Sequence, residues 1–199
     1  MKKIISLITT LLLVFCLFGC GGPKPEETVD KYLGALKNLD FAVANETLLN
    51  PSDLDFDEDL EDEDAQYLID VFKKYSNEIK YEITNVETED DEAKVTVDFE
   101  YVDAYEVGAA AVKEIFGKIF TMAFAGTNLT EEEMTSIITE AFDKAMQENK
   151  TNMVNSTETF DLVKTDDGWK ISNLPENLIN IVTSNLMKPF SELSEEFDN

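Results

Sequence analysis

Asp53, Asp55, Asp57, Asp59, Glu61 and Asp64 fall at the spacing on which a calcium loop sets its oxygen ligands. A hard cation held there would be caged by carboxylates from alternate positions. Two residues depart from that pattern: Glu58 stands where the loop needs glycine for its sharp turn, and Asp64 stands where a bidentate glutamate is expected. The run is therefore read as a solvated acidic loop leading into a helix, with calcium binding by Asp53, Asp55, Asp57 and Asp59 as the alternative. Residue types narrow the remaining chemistry. The chain has no histidine, and every basic residue is lysine. That removes histidine bases and metal ligands, along with the planar guanidinium clamp on phosphate or carboxylate. No cofactor is expected. Against 42 acidic residues stand 16 basic ones, a net charge of −26, and the lysines never cluster beyond pairs such as Lys73-Lys74. A nucleic-acid partner is excluded, because a polyanion needs a basic stripe.

The second kind of chemistry is acylation of a thiol. Lys2 and Lys3 open the chain, Ile4 to Phe18 form an apolar run short of the ~20 residues that span a bilayer, and Gly19 supplies a small residue before Cys20. This is the pattern of a processing signal. Leu17-Phe18-Gly19-Cys20 resembles the lipobox of bacterial lipoproteins, in which the cysteine is lipidated and becomes the new first residue. The resemblance implies a signal peptide over residues 1–19, a membrane anchor at Cys20 and a short tether over residues 20–26. Cys16 follows bulky Phe15 and falls in the discarded peptide, so Cys20 is the one thiol left. An intramolecular disulfide, a cysteine metal site and a catalytic thiolate are then ruled out. Pro23 and Pro25 stiffen the tether, which reaches roughly 20 Å at full extension. The lack of arginine is what a low-GC coding bias produces and points to a Gram-positive host; together with the lipobox resemblance, the expected location is the outer face of a Gram-positive cell membrane.

Over residues 27–199 the periodicities predict a single α+β domain. Pro25, Glu26 and Glu27 suit the first turn of a helix carrying Val29, Tyr32, Leu33 and Leu36, and Asp40 is placed to cap a second short helix from Phe41. A third helix follows, with Leu68, Ile69, Phe72 and Tyr75 on one side. The period then changes to two. Ile79, Tyr81 and Ile83, and after a turn at residues 89–91 Ala93, Val95, Val97, Phe99 and Tyr101, predict an antiparallel hairpin with one apolar face.

Residues 107–149 are helical again. Val112, Ile115, Phe116, Ile119, Phe120, Ala123 and Phe124 form a wide apolar stripe, and Thr130 with Glu133 makes a capping box for a second helix carrying Ile137, Ile138, Ala141, Phe142 and Ala145. The pair is expected to pack on the sheet; a partner or ligand groove rimmed by Phe116, Phe120, Phe124 and Met122 is the alternative. Two strands return around Asp166-Asp167-Gly168, and a terminal helix through Leu178, Ile181 and Leu186 is expected to stop before Pro189, with residues 191–199 frayed.

Val29-Asp30-Lys31-Tyr32-Leu33, Ala35 through Phe41 and Gly168-Trp169-Lys170-Ile171, in this order, are similar to the nuclear-transport-factor-2-like, cystatin-like α+β cone. The resemblance covers residues 25–173 and leaves residues 107–149 as a helical insertion between strands. It implies N-terminal helices packed on a curved antiparallel sheet with a pocket at the open end. Enzymes on that fold set an aspartate base there, some with a tyrosine and a protonated aspartate as oxyanion hole. Asp98, Tyr101, Asp103 and Tyr105 supply those residue types near one strand end, and are read as solvated strand-end groups before catalytic ones. Tyr101, Tyr105, Phe116, Phe120 and Phe124 are the candidate ligand-binding residues. The expected function is a non-enzymatic envelope domain binding a small apolar ligand, a peptide or an envelope protein. An isomerase- or hydrolase-like enzyme is the alternative. No oligomeric state is fixed.

Overall fold

The alternating run near Ile79 folds as two long strands, β1 (Lys80–Glu89) and β2 (Glu92–Asp103), joined by a turn in which Asp90 takes a left-handed φ of 52°. A short polar side chain tolerates that conformation. The computed structural model describes residues 23–51, 63–126 and 128–197. Residues 1–19, expected to be a signal peptide, together with Cys20 and the calcium candidates Asp53, Asp55, Asp57 and Asp59, lie outside the described residues. β3 (Asn152–Thr165) and β4 (Gly168–Asn173) complete an open sheet of order β1-β2-β3-β4 in which every neighbouring pair is antiparallel. Gly168, at φ +102°, closes the last hairpin in a conformation that side chains strain to adopt.

One face of this sheet is apolar because side chains alternate along each strand. Ala93, Val95, Val97, Phe99 and Tyr101 of β2 are buried on it, together with Phe160, Leu162 and Ile171. Helix α1 (Pro25–Lys37) lies across that face through Val29, Tyr32 and Leu33, and Tyr32 meets Phe160 edge-on at 6.3 Å. Its entrance is fixed by the Glu27 carboxylate, which accepts from the Lys24 N–H at 3.0 Å. α2 (Phe41–Glu46) starts where the Asp40 carboxylate accepts from the Val43 N–H at 3.0 Å.

The helical pair does not pack on the sheet face as the sequence predicts. α4 (Tyr105–Phe124) and α5 (Glu131–Glu148) build a second core with α3 (Glu63–Ser76), beyond the end of β2. Val107, Ala111 and Ile115 of α4 are buried there against Ile137, Ala141 and Phe142 of α5 and Val71 and Tyr75 of α3. The sheet face is already covered by α1, so the pair finds its apolar partner elsewhere. Lys118–Glu140 at 2.7 Å and Lys144–Glu114 at 2.9 Å tie α4 to α5 on the outside. Thr130 and Glu133 form the expected capping box at the start of α5.

The C-terminal segment also differs from expectation. It forms two helices, α6 (Leu178–Val182) and α7 (Lys188–Phe197), separated by a bend in which Ser184 and Asn185 have φ of 52° and 58°. Pro189 opens α7 rather than ending a helix, since the first helical turn has no partner for its N–H in any case. The bend is pinned where the Ala104 N–H donates to the Ser184 carbonyl at 2.8 Å. Gly108 lets it lie close on α4: a Cβ there would stand 2.1 Å from the Leu186 carbonyl oxygen. Among the described residues no helix is long and apolar enough to cross a membrane.

Candidate functional site

Where α1, α3 and α6 meet the β1 side of the sheet, a cavity of about 250 Å³ remains unfilled. Helical spacing on α1 sets Leu33, Leu36 and Lys37 along one wall, and α3 contributes Phe72 and Ser76, one turn apart. Ile79, Tyr81 and Phe99 form the sheet side, with the rings of Tyr81 and Phe99 at 6.2 Å. Ile179 and Val182 of α6 close it.

Polar groups in this lining are few, and each has a definite state. The Tyr81 hydroxyl donates to the Asp30 carboxylate at 2.9 Å; burial, and then that carboxylate, push its pKa up to about 12. The half-buried Lys37 ammonium donates to the Ile79 carbonyl at 2.8 Å, and among the described residues it meets no carboxylate. Ser76 is 4 % exposed, and its hydroxyl has no hydrogen-bond partner among the described residues. A buried hydroxyl in that state costs roughly 1–3 kcal/mol, which a ligand group could recover. With no base bonded to it, Ser76 is not set up as a nucleophile. Ser184 is the second such hydroxyl among the described residues; it sits at the C-terminal bend and is not part of this lining.

The residues singled out from the sequence are placed elsewhere. Tyr101 is buried on the inner face of β2, and the side chains of Asn177 and Asn185 lie near its hydroxyl. Those amides in turn donate to Glu158 at 3.1 Å and Asp103 at 3.0 Å, a polar network that seats the C-terminal segment on the strand ends. Burial is the main cause of the raised Tyr101 pKa. Tyr105 points outward and donates to Glu192 at 2.8 Å, which raises its own pKa. Asp98 lies on the other face of β2, where it accepts from Thr157 at 2.6 Å, so strand alternation keeps it apart from Asp103. Phe116, Phe120 and Phe124 form an exposed ridge on α4, at 46 %, 67 % and 82 % exposure. The five candidate ligand residues therefore do not share one site.

A larger groove of about 620 Å³ runs between α4 and α5, lined by Lys113, Glu114, Lys118, Lys144 and Glu148 among others. Two of its lysines are already paired: the Lys144 ammonium holds the Glu114 carboxyl, and the Lys118 ammonium holds the Glu140 carboxyl outside the lining, below the ordinary range. Among the described residues no group of three or more acidic or thiol side chains is arranged to hold a metal ion. The apolar cavity was not legible in the sequence. Leu33 and Phe72 read there as core positions, and nothing local marks Ser76 as a buried hydroxyl left without a partner. No protein-family model matches the chain, and no curated protein matches it.

Proposed function

We propose that the chain is a lipoprotein, anchored through Cys20 at the outer face of a cell membrane, whose domain binds a small apolar ligand without transforming it. In this reading the sheet and α1 form a cystatin-like cone, the α4–α5 pair is an insertion between its strands, and the ligand sits between α1, α3 and the β1 side. The observation that carries the reading is the unpartnered Ser76 hydroxyl beside a cavity whose other walls are almost wholly apolar. Small-molecule sites have this composition, with an apolar body and a few polar groups that fix orientation. Calorimetry of the full chain in lipid nanodiscs, with empty discs as reference, tests it against a panel of small apolar alcohols, ketones and carboxylates. Saturable binding that Leu36→Trp abolishes, by filling the cavity, is expected. Binding that survives Leu36→Trp in a folded protein would place the ligand elsewhere, and no binding across the panel would remove the reading. Anchoring is checked separately: Cys20→Ser should move the protein from the membrane fraction into the soluble one.

A further inference from the structure

A second cavity of about 220 Å³ lies beside the first, with Phe72 lining both. Its walls are Leu68, Val71, Ile115, Ile138, Phe142 and residues of the C-terminal segment, all apolar. Ser76, Phe72 and Leu68 are spaced four apart on α3, so they form one row along the helix, about 12 Å from end to end. The C-terminal segment runs along the same seam: Ile179 and Val182 face the first cavity, and Leu186, Met187 and Phe190 face the second. One half-buried aromatic side chain divides the two spaces. Among the described residues Phe72 stacks on no other ring.

Each cavity alone is smaller than the ~300–1,000 Å³ of ordinary ligand pockets, whereas a volume continuous through Phe72 falls within that range. Polar side chains line the first cavity and not the second. Ser76 offers a hydroxyl, and Lys37 keeps two N–H groups beyond the one it gives to Ile79, in a chain whose net charge is −26. A half-buried ammonium without a carboxylate partner favours an anionic headgroup there. The far cavity offers no polar atom to a ligand.

From this arrangement we infer that the ligand is a linear alkyl carboxylate, with its headgroup at Lys37 and Ser76 and its tail passing Phe72 into the second cavity. The inference rests on the first cavity being the ligand site. Calorimetry of the full chain in nanodiscs with straight-chain carboxylates of increasing length, and with the matching alcohols, tests it. Affinity should rise roughly fourfold per added methylene, continuing past the length that the first cavity holds. Ile138→Phe, at a position that lines the second cavity alone, should stop that rise at short chains while leaving the shortest ligand bound as before, and Phe72→Trp should stop the rise as well. Lys37→Gln should weaken carboxylates and leave the alcohols unchanged. A length profile identical in the parent, Phe72→Trp and Ile138→Phe proteins would overturn the threaded tail while leaving the first site intact. Equal loss for carboxylates and alcohols in Lys37→Gln would overturn the headgroup assignment. No binding at any length, with either headgroup, would overturn both this inference and the site on which it rests.

Discussion

Ser76 carries the cost of a hydroxyl removed from water without a protein partner among the described residues, and that cost can be read by deleting the oxygen. Ser76→Ala should leave the unliganded protein as stable as before, or more stable by about 1 kcal/mol, since no hydrogen bond is lost. Urea unfolding measures this, and a loss of stability would mean that the hydroxyl has a partner after all. Thr47 is the contrasting case, buried but donating to the Ala44 carbonyl at 2.7 Å. Tyr32 and Tyr81 give a second test at this scale. Burial raises the first phenol to about 12; burial, and then Asp30, do the same for the second. Both are ~10 in the unfolded chain. A raised folded-state pKa means that the stability is fully present below ~10 and is lost as the pH climbs toward 12, because the unfolded state gives up its protons first. Tyrosinate absorbance should show Tyr32 and Tyr81 among the phenols that titrate late, as Tyr67 also should, with stability falling over that same window; phenols that all titrate near ~10 would contradict the burial.

At the scale of elements, α4 holds two glycines that should respond oppositely to alanine. A Cβ on Gly108 would run into the Leu186 carbonyl, which is backbone and cannot swing aside, whereas a Cβ on Gly117 would meet nothing within 4 Å. Gly108→Ala should cost about 1–3 kcal/mol and loosen the C-terminal segment. Gly117→Ala should gain about 0.5–1 kcal/mol from helix propensity alone. Denaturant unfolding of the two variants checks both signs, and a neutral Gly108→Ala would show that α6 and α7 do not rest on α4. The ends of these elements are legible in the sequence, whereas the faces they bury are not. Asp40, Thr130 with Glu133, and Gly168 act through neighbours a few residues away, so their roles could be read directly. The apolar stripe of α4 gave no sign that Ile115 would turn inward and Phe124 outward, because that depends on where α3, α5 and α7 lie. Pro189 misled for a related reason: a proline that stops one helix is equally suited to start another.

Over the whole molecule the dominant force outside the two cores is charge. Six ion pairs join described residues, each with at least one partner substantially exposed, and such pairs contribute little against a net charge of −26. Screening should relieve the self-repulsion more than it weakens those pairs. The melting temperature should therefore rise as salt is added toward ~0.15 M ionic strength; a fall would mean that the ion pairs outweigh the repulsion. The sequence by itself determined the α+β class, the strand alternation that gives β2 one apolar face, the helix caps and the hairpin turn. Each of these follows from backbone preferences and side-chain period over a few residues. Only the tertiary structure decided that the helical pair builds a second core, that Asp98 and Asp103 stand on different faces, and that an apolar cavity opens beside Ser76. A cavity is space left among side chains that are distant along the chain, as Leu33, Phe72, Phe99 and Ile179 are here, and no local period records how completely such side chains fill the volume between them.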